Sequence, residues 1–575
     1  MDFIKQRTIR VSVLLTVVVF ALMSASVYKI IELKISPPVE LHAKTAPVQR
    51  KSNQLAIRGQ ILDRRGRILA ASRFGHKLFV DPSMVEDFES LSFELSEILF
   101  VSPAEIEKKL RSKPKSRYVV LSNLLSEGQV DSIKGLEHKC VGLEERLVRE
   151  YPHGDIGGAL IGLVGSEHTG LAGFENKYDD KLTGEPGEVT RSCDSKRKTV
   201  WVSPDDFKLR SNGEDIQLSI DVVIQDFASK RLREEVERCN AGGGRIVVAN
   251  PATGEILAMD DILNQRDGWS QQPEDPNRSL DVRLGRNRCV TDPYEPGSTF
   301  KPFIWSVATQ LGKATVDEVL PTPSGGPYIT SFNRKIRDAH YYGPSTWENV
   351  LIKSMNSGMA IVSQRMSFKE LQDAVYRFGF GQPTRVGLGG ETRGIVTPPS
   401  NWKNYTQTSV SMGHEIAVTP LQMVQGFCAF ARDGTVPQLQ LNISTTEDVM
   451  FVREAISPEI AALTRQIMGK VMTEGTGRKS KSEQYTLFGK SGTAQLPSAD
   501  GTGYFQDRYI ASFIAGAPID NPKLVVLCVI DDPDKTIGHY GGTIAGPVVR
   551  DVIENSLNYL GVPPSTEYLA NAANK

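Results

Sequence analysis

Ser298 and Lys301 stand three residues apart, directly behind a Pro296-Gly297 turn in the stretch YEPGSTFKPF. A serine hydroxyl is a poor nucleophile at neutral pH, and a lysine one helical turn away can take its proton if that lysine is held neutral. The same Ser-x-x-Lys spacing recurs at Ser26/Lys29, Ser112/Lys115, Ser195/Lys198 and Ser400/Lys403, so spacing alone selects nothing. Context does. The run after Gly297 places Phe300, Phe303, Ile304, Val307 and Leu311 on one apolar stripe, which predicts a buried helix opened by Ser298. At such an opening the backbone N–H groups lack intrahelical partners, giving Ser298 an oxyanion donor in its own N–H. Pro302 requires the helix to start near Ser298 or to bend there.

Two later stretches add complementary groups. KSMNSGMA holds Ser354 and Asn356, a hydroxyl and an amide that could line one side of a cleft, although Ser-x-Asn also occurs at Ser331/Asn333 and Ser556/Asn558. FGKSGTAQL holds Lys490, Ser491, Gly492 and Thr493, and Lys-Ser-Gly occurs once in the chain. On a strand, Lys490 and Gly492 face one way and Ser491 and Thr493 the other. Gly492 lets another backbone lie close, and a lysine with hydroxyls suits a substrate carboxylate.

These residues need elements to position them. The chain has 575 residues, 40% apolar and 23% charged, which is ordinary globular composition with room for several cores. A net charge of −1 offers no basic field, so nucleic acid is not an expected partner. Six scattered cysteines read as buried single thiols rather than a disulfide framework. Residues 11–28 carry no charge and would span about 27 Å as a helix, near the thickness of a bilayer core. Lys5, Arg7 and Arg10 precede them, so the positive-inside rule puts residues 1–10 in the cytoplasm and the rest outside. A cleaved signal ending near Ser24-Ala25-Ser26 is the alternative, but the apolar run exceeds a usual signal core of about 7–15 residues.

Residues 29–54 read as a juxtamembrane linker, with order beginning near Leu55. IRGQILDRRGRILAAS (57–72) reads as a hairpin around an Asp-Arg-Arg-Gly turn, and 188–214, with SKRK at 195–198, as a solvated polar surface. From Asp215 a new domain begins: a strand at DIQLSID, the helix VVIQDFASKRLREEVERC and two strands in GRIVVANPATGEILAMDD. Helices dominate from about 298 to 475, and YTLFGKSGTAQL, DRYIASFIAGAP and KLVVLCVIDDP read as closing strands. Strands at both ends with helices between predict one sheet assembled from distant segments.

The ordered set Ser298-x-x-Lys301, Ser354-x-Asn356, Lys490-Ser-Gly-Thr is the one that penicillin-binding proteins and serine β-lactamases share. With RGQILDRRGRILA, GLAGFENKYDDKLTGEPG, VTPLQMVQGFCAFARDG and HYGGTIAGPVV, the chain resembles a class B penicillin-binding protein from the anchor to about residue 560. The resemblance implies an α/β (α+β) architecture. A transpeptidase domain (215–560) with a central antiparallel sheet flanked by helices would follow an extended mixed α/β pedestal of the dimerisation type (55–214) and one membrane helix, leaving a polar tail at 561–575.

It also implies a reaction without metal or organic cofactor. Lys301, neutral because it is buried near another cation, would activate Ser298 toward the penultimate D-alanine of a peptidoglycan stem peptide; an amine on a second stem would be the acceptor. Ser354 would relay the proton, Asn356 would hold Lys301 and the substrate amide, Lys490, Ser491 and Thr493 would bind the terminal carboxylate, and the N–H groups of Ser298 and Thr493 would form the oxyanion hole. β-Lactams would acylate Ser298. The implied setting is the bacterial inner membrane with the catalytic domain outside, alongside a membrane glycosyltransferase and other division proteins, since no glycan-polymerising domain is seen. SMGHEIAVTPLQ and HYGGTIAGP resemble the division type more than the elongation type, although His414 and Glu415 depart from the family's glycine-containing version. A catalytically idle scaffold would predict broken motifs, and all are intact. A β-lactam hydrolase or sensor would lack this pedestal or carry several membrane helices.

Overall fold

The computed structural model describes residues 2–36, 48–165, 167–193, 199–264, 282–443, 453–498, 503–565 and 568. SKRK at 195–198 and residues 566–567 and 569–575 of the polar tail lie outside them. The chain divides into two compact units, Met1–Ala56 with Glu185–Ser211, and Ile57–Gly184 with Asn212–Lys575.

The first unit begins with helix α1, Asp2–Ile35. It is longer at both ends than the charge-free run and, from Phe3 to Ile35, is long and apolar enough to cross a membrane. The linker reading meets a difference at its end. Val48–Gln54 is a strand, antiparallel to Gly187–Cys193, which in turn pairs with Thr199–Lys208. VQRKSNQ shows no apolar alternation, because the strand lies at the edge of a small sheet and is held by backbone hydrogen bonds to a distant segment.

In the second unit the predicted hairpin forms, with Ile61–Leu62 antiparallel to Ile68–Ala70. Asp63 makes its turn by accepting from the Arg65 and Arg67 N–H groups, both at 2.8 Å. Arg67 then reaches Asp221 at 2.6 Å, and Asp221 caps helix α2, Val222–Arg238. The 57–72 hairpin therefore docks onto the N-terminus of α2. The long strand Ile68–Val80 pairs with Val119–Leu125 and Val141–Glu150, and these cover a small core with helices Phe88–Leu99 and Pro103–Arg111. Beneath it, Glu175 accepts from Arg58 Nε at 2.8 Å and Arg149 Nε at 2.7 Å, all three side chains being at most 2% exposed.

The catalytic sheet is formed by β1 (Gly243–Ala249), β2 (Ile256–Leu263), β3 (Phe488–Pro497), β4 (Tyr504–Ala517) and β5 (Leu524–Asp531). Its order is β2-β1-β5-β4-β3, antiparallel throughout, which joins the predicted distant segments into one sheet. Every residue of β5 is buried. Val525, Leu527 and Val529 face one core, and Val526, Cys528 and Ile530 face the other, as a period of two dictates for a strand covered on both sides. The second core is completed by α2 and by α3, Ala545–Tyr559. The first is the helical layer between residues 297 and 475, where Phe300, Phe303, Phe378, Phe380, Phe427 and Phe430 cluster around the helix that follows the Ser298 turn. All six cysteines are buried free thiols. The strand expected at 215–221 is only Ile216–Gln217, after which the chain turns into α2.

Candidate active site

The helix predicted to open at Ser298 forms in two parts. Gly297–Phe300 is a 3₁₀ turn, and Lys301–Gln310 continues it as an α-helix with Pro302 in its first turn, where a proline's missing N–H costs nothing. Phe300, Phe303, Ile304 and Val307 are buried, but Leu311 is 38% exposed because the helix has ended by then. Ser298 sits half-buried in the 3₁₀ turn, and the Lys301 N–H bonds back to its carbonyl.

Lys301 is fully buried. Its Nζ donates to Ser354 O and to Asn356 Oδ1, both at 2.7 Å, and lies 3.4 Å from Ser354 Oγ. The expectation placed Lys301 directly against Ser298; among the described residues its hydrogen bonds go instead to these groups, because two carbonyl oxygens outcompete a hydroxyl for N–H donors in a dry site. Lys490 is also fully buried, its Nζ 2.9 Å from Ser354 Oγ and 3.1 Å from Ser491 O. The Ser354 hydroxyl thus lies within reach of two amines. Its φ is +60°, a left-handed conformation that non-glycine residues rarely adopt and that clusters at functional sites.

Burial lowers the Lys301 pKa to about 7, against a smaller upward pull from Asp338. Burial also pushes Lys490 well below its ordinary value, and repulsion from Lys301 adds to it. The neighbouring-cation effect assigned in advance to Lys301 therefore falls on Lys490. A neutral amine has two N–H groups and one lone pair. With both N–H groups of Lys301 given to carbonyl oxygens, the lone pair is free to receive a proton.

Asp338 was not legible in the sequence. Its carboxylate accepts from the N–H groups of Asn356 and Ser357 and from Ser357 Oγ, capping the helix Asn356–Ser363, whose own N-cap residue, Met355, has no polar side chain. Asn356 Nδ2 donates to Arg337 O at 2.8 Å, which leaves Oδ1 aimed at Lys301.

β3 is an edge strand. A Cβ on Gly492 would sit 2.8 Å from Pro296 O and 2.9 Å from Thr299 Cγ2, so only glycine lets β3 lie against the Ser298 turn. Lys490, on the same face, meets Ser354. The hydroxyls on the other face are engaged elsewhere: Ser491 Oγ donates to Thr476 Oγ1 at 2.7 Å, and Thr493 Oγ1 accepts from Gly541 N–H at 3.1 Å. Thr476 and Gly541 come from segments whose roles no spacing in the sequence revealed.

Residues 244–554 match the penicillin-binding protein transpeptidase domain, and residues 53–218 the penicillin-binding protein dimerisation domain. The chain is a class B penicillin-binding protein. Among relatives of this penicillin-binding protein, Stage V sporulation protein D of Bacillus subtilis is 31% identical over 88% of this chain and 79% of its own. Peptidoglycan D,D-transpeptidase FtsI of Escherichia coli is 30% identical over 88% and 84%. Two solved structures share the fold at 24% identity over 90% of this chain. They are a peptidoglycan synthetase from Bifidobacterium adolescentis, with a TM-score of 0.67 over 98% of that chain, and penicillin-binding protein 3 from Mycobacterium tuberculosis with aztreonam, with a TM-score of 0.66 over 99%.

Proposed function

We propose that this penicillin-binding protein is the septal peptidoglycan D,D-transpeptidase of its cell, anchored by α1 with residues 1–10 inside and the pedestal (55–214) and transpeptidase domain (215–560) outside. The observation that carries the reading is the hydroxyl of Ser354 within reach of two buried amines, that of Lys490 and that of Lys301, which lies one turn after Ser298. The septal assignment rests on the FtsI-named relatives and on the division-type endings already quoted.

In the reaction, Lys301 takes the Oγ proton of Ser298 as Oγ bonds to the carbonyl carbon of the penultimate D-alanine. The oxyanion is held by the N–H groups of Ser298 and Thr493. The bond to the terminal D-alanine breaks, and its nitrogen takes a proton that passes from Lys301 through Ser354. An amine of a neighbouring stem then attacks the acyl carbon, gives up its proton by the same route, and Ser298 leaves with a hydrogen restored. Lys490 donates to Ser354 and, on recharging, pairs with the substrate carboxylate beside Ser491 and Thr493. The free edge of β3 gives the stem peptide backbone a partner to hydrogen-bond. A membrane glycosyltransferase and other division proteins complete the proposed assembly.

A β-lactam presents a strained amide in place of the D-Ala-D-Ala bond. Mass spectrometry of the tryptic peptide containing Ser298 should show the added mass of intact penicillin, and Ser298→Ala should lose adduct and cross-linking while still folding. An adduct on Ser400 or Ser112, or rapid penicillin hydrolysis, would overturn the assignment.

A further inference from the structure

Glu295, three residues before Ser298, accepts on Oε1 from Tyr504 OH at 2.9 Å and from the Glu415 N–H at 3.0 Å, while Oε2 lies 3.1 Å from His414 Nδ1. Its side chain is 13% exposed. An ionised carboxylate only accepts, so this contact is a hydrogen bond when Nδ1 carries the proton. One carboxylate thus joins the segment entering the nucleophile turn, the 413–418 segment and the outer end of β4.

The backbone around it is laced in the same sense. Tyr294 and Val418 exchange two N–H···O bonds of 2.9 Å, and the Gly297 N–H donates to Gly413 O at 3.0 Å. Gly413 has φ +80°, and a Cβ there would sit 2.1 Å from Gly297 O, so the two segments touch at the residue before the nucleophile. Glu415 holds φ +58° although it is not glycine, and its side chain accepts from Ser409 Oγ at 2.8 Å. A left-handed conformation in a glutamate persists only where the surroundings fix it, and here they direct its N–H at Glu295.

The 3₁₀ turn that presents Ser298 needs such a tether. Its N-cap residue, Pro296, supplies no side-chain cap, and burial together with the Glu295 charge keeps the Tyr504 phenol protonated as a donor by raising its pKa.

We infer that Glu295 is a positioning residue of the transpeptidation, holding the Ser298 turn against the β3–β4 hairpin through Tyr504, and against the His414–Glu415 segment. The inference rests on the acyl-transfer reading proposed above. Glu295 touches none of the reacting groups among the described residues, so its loss should reach the chemistry only through placement. A displacement of about 1 Å in an acylation geometry can cost on the order of 100-fold in rate.

The test is stopped-flow acylation of the full chain by a fluorescent penicillin, resolving the noncovalent dissociation constant from the first-order acylation rate, with melting temperatures recorded alongside. Glu295→Ala should lower the acylation rate about 100-fold and change the noncovalent constant by no more than about threefold. Glu295→Gln keeps an oxygen for Tyr504 and the Glu415 N–H, and should recover to within about tenfold of the unaltered protein. Tyr504→Phe should lose about threefold on its own and nothing further in the Glu295→Ala background. An undiminished rate in Glu295→Ala, a loss of affinity instead of rate, or no rescue by glutamine would overturn the inference. If Glu295→Ala fails to fold, Tyr504→Phe at an undiminished rate would overturn it as well. Absence of labelling at Ser298 in the unaltered protein would instead sink the acyl-transfer reading itself.

Discussion

Two buried sets of charge divide the molecule. In the pedestal, Glu175 receives Arg58 on one oxygen and Arg149 on the other, and Asp179 takes a further contact from Arg58 at 2.6 Å. In the catalytic domain, Lys301 and Lys490 flank Ser354, and among the described residues neither forms an ion pair. Burial is equally complete in both places, and the electrostatics are opposite. Opposite charges in fixed geometry offset the desolvation cost and hold a shape. Two amines around one hydroxyl cannot both stay charged, so at least one proton is displaced, and displaced protons are what acyl transfer needs.

The sharpest way to break that contrast is to remove one member from each set. Lys301→Met should reduce acylation of Ser298 by about 10²–10⁴-fold, the usual worth of a positioned base. Its stability should respond in a way no paired charge would. The folded pKa of Lys301 is lowered from 10.5 to about 7, so between those values the unfolded chain binds a proton the native state does not. Stability contributed by this group therefore rises with pH across that window, and Lys301→Met should flatten the slope in denaturant titrations at successive pH values. Lys490→Ala should cost about 100-fold in acylation, the low end for a lost proton-transfer partner, with the melting temperature within a few degrees.

Glu175→Ala should do the reverse. Stranding two guanidinium groups in a dry interior should destabilise the protein by about 3–5 kcal/mol while leaving the acylation rate of the folded fraction unchanged, measured by denaturation and by penicillin labelling of the soluble protein. A fall in rate per folded molecule would erase the distinction between the two regions. Asp338→Asn should have the smallest effect. It removes a charge that raises the Lys301 pKa, so the acidic limb of the acylation profile should move to lower pH, with about 1 kcal/mol of stability lost because the new amide nitrogen cannot accept from Ser357 Oγ. A shift to higher pH would contradict the electrostatic assignment.

What was legible in the sequence follows from how far each signal travels along the chain. Ser298, Lys301, Ser354, Asn356 and Lys490 announce themselves because their chemistry demands fixed local spacings, and β5 does so because burial on both faces makes LVVLCVI continuously apolar. Asp338, Glu295 and Thr476 act across the fold on residues from other segments, so nothing beside them marks them. The strand Val48–Gln54 reads as linker in the sequence for a related reason: its pairing uses backbone groups, which every residue carries. The direction of the Lys301 side chain is likewise not written in the sequence, since an i+3 spacing fixes a face of the helix but not which of several acceptors the amine takes.

The central claim is that Lys301 is the base and that burial holds it near neutrality. Its most direct test is the rate of β-lactam acylation as a function of pH, with the adduct located on Ser298 by mass spectrometry at each point. The account predicts a rate rising about tenfold per pH unit in the acid range and levelling above about 7, where Lys301 has lost its proton. A rate independent of pH on both sides of that value, or one still climbing toward the ordinary lysine range, would contradict it.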